Sequence, residues 1–109
     1  MEIFEAAGRW FTPDDTGASY EEHLSVPDLS LGTYCLAAGA TDTQTPHDED
    51  EVYVVTSGRA KFTGGDRTVD VSAGSTFFVP AREEHRFHDI TEDLTVLVFF
   101  GPAEGTRSS

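Results

Sequence analysis

Short runs of apolar residues separated by turn residues make up most of the chain, and none keeps the spacing of an amphipathic helix. Eight of these runs have the length and composition of β-strands. They lie at residues 20–26, 30–37, 51–56, 60–63, 67–71, 75–79, 85–90 and 94–100. Many short, regularly spaced strands are typical of a sandwich or a barrel, so the pattern predicts an all-β domain.

The residues between the runs predict where strands turn or stop. The "GGD" at 64–66 predicts a hairpin turn between Phe62 and Val69, because glycine supplies the positive φ that such turns need. The "SG" at 57–58 predicts the end of the preceding strand. Pro80 predicts the end of the run at 75–79, since proline cannot donate a hydrogen bond into a β-ladder.

A chain of 109 residues is about the usual size of one domain. We expect an N-terminal arm at residues 1–19, a barrel domain at 20–102 and a flexible tail at 103–109. The run at 94–100 is apolar at nearly every position, which predicts that both of its faces are covered. Either the same chain or a second subunit could cover the outer face.

Charge and cysteine content limit which partners the protein is expected to bind and where in the cell it is expected to lie. The net charge of −13, from 20 acidic against 7 basic residues, disfavours nucleic acid and membrane partners. Scarce lysine with abundant acid suits either a salt-rich cytoplasm or a GC-rich genome. The single cysteine, Cys35, excludes an intramolecular disulfide and is predicted to be a small buried residue. The N-terminus has no long apolar core, so a cytoplasmic location is expected.

The stretch "TPHDEDEVYVV" contains the first candidate chemistry. Strand alternation places Glu51 and Tyr53 on the inner face of a core strand, where a carboxylate is costly unless it is paired or bound to a cation. His47, four residues earlier, could reach the same cation. His85 follows the turn after Pro80 and could meet this site across the sheet. Imidazole and carboxylate are good ligands for a divalent transition metal.

These stretches resemble the two conserved motifs of the cupin superfamily, with the resemblance covering about residues 30 to 100. The first motif is matched by Gly39, His47, Glu51 and Gly58. The second motif is matched by Gly74, Pro80, His85 and Asp89. The resemblance implies a single-domain cupin jelly-roll barrel that pairs as a homodimer and binds a small molecule.

The chain departs from the family pattern at the metal site and near it. Thr45 stands where the first histidine of the family's H-x-H is usual, the spacer after Gly39 is long, Arg82 replaces a glycine and Asp89 an asparagine. The resemblance then carries over His47, Glu51 and His85 as ligands of one divalent metal ion. Two histidines and one carboxylate suit ferrous iron and oxygen chemistry, while zinc, manganese, nickel and copper stay open.

The expected pocket is largely apolar with the metal at its base. Its candidate residues are Gln44, Thr45, Tyr53, Phe78 and Phe87. Gln44 or Thr45 would approach the vacant ligand position, directly or through water. Tyr53 is the candidate for donating a hydrogen bond to substrate, with core packing as the alternative.

Two functions follow from this site. One is a metal-dependent enzyme acting on a small, largely apolar organic molecule, with oxygenase chemistry first and isomerase or lyase chemistry second. The other is a non-catalytic module that binds or senses a small ligand, with or without metal. The acids at 48–50 are expected to form a solvated rim that discourages anionic substrates, and His88 is expected to face away from the site.

Overall fold

The computed structural model describes residues 1–107, which form strands and turns without a helix. This part of the chain therefore contains no helix that could cross a membrane. Six strands are present, so the all-β prediction is confirmed. They are β1 (Ala18–Val26), β2 (Leu29–Leu36), β3 (Asp50–Gly64), β4 (Arg67–Ser72), β5 (Thr76–Val79) and β6 (His85–Gly101).

All strand pairs are antiparallel, and the order is β1-β2-β6-β3-β4, with β5 pairing β3. The first half of β3 pairs β5 and the end of β6, and its second half pairs β4 and the start of β6. Between these halves β3 bends, so the rings of Tyr53 and Phe62 lie 5.6 Å apart. The bend turns one continuous ladder into two facing sheets with a shared interior.

The predicted strand end at Ser57 and Gly58 is wrong, because β3 continues through both residues. The predicted strands at 85–90 and 94–100 are likewise one strand, β6. The pairing of β3 with β6 shifts register at three places between Val55 and Lys61. Bulges of this kind bend a strand without ending its ladder, which is why apolar runs separated by polar residues looked like separate strands.

Gly58 is required at this bend. Its φ is +93°, and a Cβ there would collide with the backbone carbonyl of Asp93. Gly58→Ala should therefore destabilise the fold by about 2 to 4 kcal/mol, measured by urea unfolding. Gly74 is the matched control, because its φ is +94° but a Cβ would meet nothing within 4 Å. Gly74→Ala should lose only about 1 kcal/mol, and equal losses in the two variants would contradict the collision argument.

One predicted turn and one predicted strand end are confirmed. Gly64 pairs with Arg67 across the hairpin, and Phe62 pairs with Val69, as the "GGD" turn requires. β5 ends at Val79, directly before Pro80.

Alternate residues of the strands pack into the barrel interior, which is rich in aromatic rings. Phe87 is completely buried against Phe62, with ring centroids 4.7 Å apart. Cys35 is also buried, as predicted, but it lies on the outer face under the N-terminal arm, where its Sγ is 4.0 Å from the carbonyl oxygen of Arg9. Other core residues are Leu36, Val55, Val71, Leu94, Val96, Val98 and Phe100.

The N-terminal arm lies on the outer face of its own sheet. The Gly8 amide donates to Thr33 Oγ1 at 2.9 Å, and Thr56 Oγ1 donates to the Gly8 carbonyl at 2.7 Å. A Cβ on Gly8 would sit 3.3 Å from the side chain of Leu97 in β6. The outer face of the apolar run at 94–100 is thus covered in part by the same chain.

The segment at 103–107, predicted to be part of a flexible tail, packs against the barrel, while Ser108 and Ser109 lie outside the described residues. Ala103 is buried, and the Glu104 amide donates to Ser30 Oγ at 2.9 Å. The Arg107 amide donates to Glu49 Oε2 at 3.0 Å, and Glu49 is only 2% exposed. Glu49 is therefore not part of a solvated rim, because its carboxylate holds the C-terminal segment against the barrel.

Candidate metal centre

Three elements bring the predicted ligands together. Glu51 points inward from β3, His85 is the first residue of β6, and His47 lies in the loop before β3. His85 Nε2 is 3.3 Å from Glu51 Oε1, and His47 Nε2 is 4.0 Å from the same oxygen. Ligand atoms about 2.1 Å from one shared ion lie roughly 3 to 4 Å apart, so this spacing suits a metal ion.

His47 is held in place by the turn after Pro80 rather than by strand pairing. β3 begins at Asp50, so the strand does not extend back to His47. Instead the Arg82 amide donates to the His47 carbonyl at 2.6 Å, and the Ala81 amide donates to Asp50 Oδ1 at 2.9 Å. Arg82 has a φ of 67°, which is why a glycine is usual at this position of the motif.

The histidine hydrogen bonds show which ring nitrogens are free to bind metal. His85 Nδ1 lies 2.8 Å from the carbonyl oxygen of Glu83. A carbonyl only accepts, so Nδ1 carries the proton and the lone pair of Nε2 faces Glu51. His47 Nδ1 lies 3.6 Å from Glu104 Oε2, which favours the same arrangement in His47. Carboxylate or carbonyl partners behind metal-binding histidines orient the ring in this way.

Glu51 is the acid that most needs a partner. It is 1% exposed, and its Oε2 makes no hydrogen bond within the described part of the chain. Burial raises the pKa of Glu51 to about 7, and the charges of Glu104, Glu49 and Asp42 contribute to the increase. A cation at this point would offset the cost of the buried charge.

Burial lowers the pKa of His47, against the raising effect of the nearby acids Glu49, Asp42 and Asp48. A lowered pKa keeps the imidazole neutral near pH 7, and the neutral ring is the form that binds a metal.

Gln44 joins the three predicted ligands, and Thr45 does not. Gln44 Oε1 lies 3.2 Å from His85 Nε2, 3.4 Å from His47 Nε2 and 3.1 Å from the Tyr53 hydroxyl, which donates to it. Thr45 is exposed, and although it lines a surface cavity together with Gln44 and His85, no hydrogen bond within the described residues ties its side chain to the cluster. Of the two residues expected near the vacant ligand position, Gln44 is the one whose side chain contacts the histidines.

A small cavity of about 140 Å³ opens beside the cluster. Its walls are mostly apolar or aromatic, and they include Tyr20, Tyr34, Val98 and Phe100 next to His47. It is smaller than the about 300 to 1,000 Å³ of drug-sized ligand sites. A larger cavity of about 640 Å³ lies along β4 and β5, but it contains none of the clustered ligands, so the candidate site is the smaller one.

Two predicted pocket residues lie elsewhere. Phe87 is a core residue and does not line the cavity beside the metal ligands. Phe78 is 60% exposed on the outer face, so its predicted pocket position is wrong; Phe77 packs inward, with its ring 5.4 Å from that of Tyr53. A shift of one residue reverses which side chains of a strand face inward, and a pair of adjacent phenylalanines does not show which of the two registers the strand takes.

His88 faces away from the cluster, as predicted, and contacts Thr63 Oγ1 at 2.7 Å.

Asp42 and Glu104 are site residues that the sequence did not indicate. Asp42 is buried and accepts a hydrogen bond from the Gln44 side chain, and Glu104 lines the cavity beside His47. Asp42 lies in a loop without strand alternation, and Glu104 lies in the segment expected to be flexible. Only their tertiary contacts place them here.

Comparison with known proteins agrees with this architecture. Residues 32–100 match the cupin domain family, and the chain therefore belongs to that family. It is a small single-domain cupin with a jelly-roll fold.

An uncharacterized protein of Streptomyces coelicolor is 51% identical over 86 residues, which are 79% of this chain and 82% of that protein. The solved structure of KdgF from Halomonas sp. has a TM-score of 0.76 and 21% identity, covering 85% of this chain and 86% of that one. Salicylate 1,2-dioxygenase from Pseudoaminobacter salicylatoxidans has a TM-score of 0.72 and 17% identity, covering 78% of this chain and 27% of that one. At these identities both structures show the fold alone.

Proposed function

We propose that this cupin holds one divalent metal ion through His47, Glu51 and His85 and acts there on a small, largely apolar organic molecule. The observation that carries the proposal is the convergence of two imidazole lone pairs on a buried carboxylate with an unpartnered oxygen. Lone pairs that face each other repel unless a proton or a metal cation lies among them, and a metal cation can satisfy all of them at once.

The cavity defines the class of ligand. Its apolar walls and small volume suit a compact molecule, and the charges of Glu104 and Glu51 beside it disfavour an anion. When bound, a divalent ion at the cavity base could polarise a substrate oxygen or activate dioxygen. Oxygenase chemistry ranks first because two histidines and a carboxylate resemble the ligand triad of non-haem iron oxygenases.

Tyr53 is positioned as a proton donor rather than a base. Burial and the charge of Glu51 raise its pKa, and its hydroxyl donates to Gln44. A neutral phenol of this kind orients the site without abstracting a proton. Because this tyrosine supplies no base, the site also fits the second candidate function, a module that binds a small ligand without turnover.

Metal content is the first test of the proposal. Protein purified without chelator and analysed for transition metals should contain about one ion per chain. Oxygen uptake with a panel of diketones, thiols and flavonoids then separates the two functions, because a binding module would retain a ligand without consuming oxygen. Protein that takes up no divalent ion even after incubation with manganese, iron or zinc would refute the metal-dependent proposal.

A homodimer and a cytoplasmic location remain predictions. β5 pairs only with β3, and Phe78 on it is exposed next to Val52. We propose that a second copy covers this outer face, because exposed apolar strands at a sheet edge need covering. Phe78→Asp should then shift the protein from dimer to monomer in analytical ultracentrifugation, and a wild-type monomer would exclude the dimer.

A further inference from the structure

We infer that Gln44 supplies a fourth protein ligand through its side-chain oxygen, and that Asp42 is the positioning residue that aims this oxygen at the metal. The inference rests on the proposed metal-binding function. It goes beyond the three ligands carried over from the family pattern, in which Gln44 has no counterpart.

The position of the Gln44 oxygen is that of a ligand. It lies 3.2 and 3.4 Å from the Nε2 atoms of His85 and His47, the two nitrogens that also face Glu51. His85 Nδ1 already gives its proton to the Glu83 carbonyl, so a neutral His85 has no proton to donate to Gln44. An amide oxygen and an imidazole lone pair at this distance are better explained by a shared cation than by a hydrogen bond.

The orientation of the Gln44 side-chain amide follows from the contact of its nitrogen. Gln44 Nε2 donates to Asp42 Oδ2 at 2.7 Å. A flipped amide would place its oxygen against the Asp42 carboxylate and would lose that charge-assisted bond. The Tyr53 hydroxyl donates to Gln44 Oε1 at 3.1 Å and favours the same orientation. The amide oxygen is therefore preorganised toward the metal centre before any ion binds.

Asp42 is itself firmly held. It is 5% exposed, and its Oδ1 accepts hydrogen bonds from the Tyr34 hydroxyl at 2.7 Å and from the backbone amide of Gln44 at 3.2 Å. Its Oδ2 accepts from the backbone amide of Phe87 in β6 at 2.9 Å, as well as from the Gln44 side chain. Asp42 thus fastens the otherwise irregular loop to the barrel and fixes the Gln44 side chain relative to His85, two residues before Phe87.

The consequence is a ligand set of two nitrogens and two oxygens. Oxygen ligands suit harder ions such as manganese, while imidazole suits nickel, copper and zinc. Gln44→His should therefore shift the ratio of nickel to manganese affinity toward nickel by at least about tenfold. A change in this ratio is not expected from a residue that only supports the fold.

The experiment measures dissociation constants for Mn²⁺ and Ni²⁺ by chelator competition, with Mn²⁺ also followed by electron paramagnetic resonance. Gln44→Leu should weaken Mn²⁺ binding by about 10- to 100-fold, while Thr45→Val, at the exposed neighbouring position, should not change it. If Gln44→Leu fails to fold, Gln44→Asn serves instead, because its shorter side chain withdraws the amide oxygen from the metal centre and should also weaken Mn²⁺ binding.

A double-mutant cycle tests the role of Asp42. Asp42→Asn should weaken Mn²⁺ binding by about tenfold in the wild-type background and should have no further effect in the Gln44→Leu background. A purely structural role would lower affinity in both backgrounds and would overturn the positioning role. Equal Mn²⁺ affinity of wild type and Gln44→Leu would overturn the fourth ligand alone. Wild-type protein that binds neither ion would overturn the proposed function together with this inference.

Discussion

Glu51→Gln is expected to make the metal-free protein more stable than wild type by about 3 kcal/mol at pH 8. The folded protein raises the pKa of Glu51 from its usual 4.5 to about 7, chiefly through burial. Between these two values the folded state holds the proton more tightly than the unfolded state. The stabilising contribution of the protonated form is therefore present below pH 4.5 and is lost as the pH rises through about 7.

The measurement is urea unfolding of wild type and Glu51→Gln in the presence of EDTA from pH 4.5 to 8. The difference between the two proteins should be close to zero at the acidic end and should grow with pH. Glu21→Gln, at an exposed position of β1, is the matched control and should follow wild type. A difference that stays constant across this range would show that Glu51 does not carry a raised pKa.

A saturating metal ion should reverse this order of stability. Wild type should gain about 3 kcal/mol at a free metal concentration 100 times its dissociation constant, because the ion pairs the buried carboxylate. Glu51→Gln should gain much less, since a neutral amide is a weaker ligand. A substitution that stabilises the metal-free protein and weakens metal binding would assign Glu51 to function rather than to folding.

His85→Ala is expected to weaken metal binding by at least about 100-fold, because it removes the most enclosed nitrogen ligand of the cluster. His88→Ala provides a matched control on the same strand. His88 contacts Thr63 and Asp89 rather than the cluster, so its removal should leave metal affinity unchanged.

The measurement is chelator competition with each purified variant, with circular dichroism to confirm that both remain folded. His85→Ala protein that is folded and binds metal as tightly as wild type would refute the triad. Equal losses in the two variants would mean that affinity follows the stability of β6 and not the ligand.

The spacing of the motif residues was sufficient to predict which three side chains meet at the candidate metal centre. Strand alternation indicated that Glu51 points inward, and its position after His47 allowed both to reach one ion. His85 could be predicted because Pro80 ends β5 and the following turn is short. These inferences rest on local geometry, which a sequence expresses directly.

Other features depended on contacts between distant residues. Two predicted strand breaks were wrong because bulges bend β3 and β6 without ending them. Phe78 was misassigned because register, not composition, decides which of two neighbouring phenylalanines points inward. Glu49 was expected to be a solvated acid, but the Arg107 amide of the C-terminal segment donates a hydrogen bond to it.

The sequence by itself determined the all-β architecture, the inward carboxylate of Glu51 and the pair of histidines able to join it, because periodicity and turn chemistry act over a few residues. Only the tertiary structure decided that Gln44 contacts the two histidines while Thr45 is exposed, and that Asp42 and Glu104 adjoin the site. Their roles arise where a loop and the C-terminal segment, both without periodic pattern, fold back onto the barrel and exchange hydrogen bonds with residues far away in the chain.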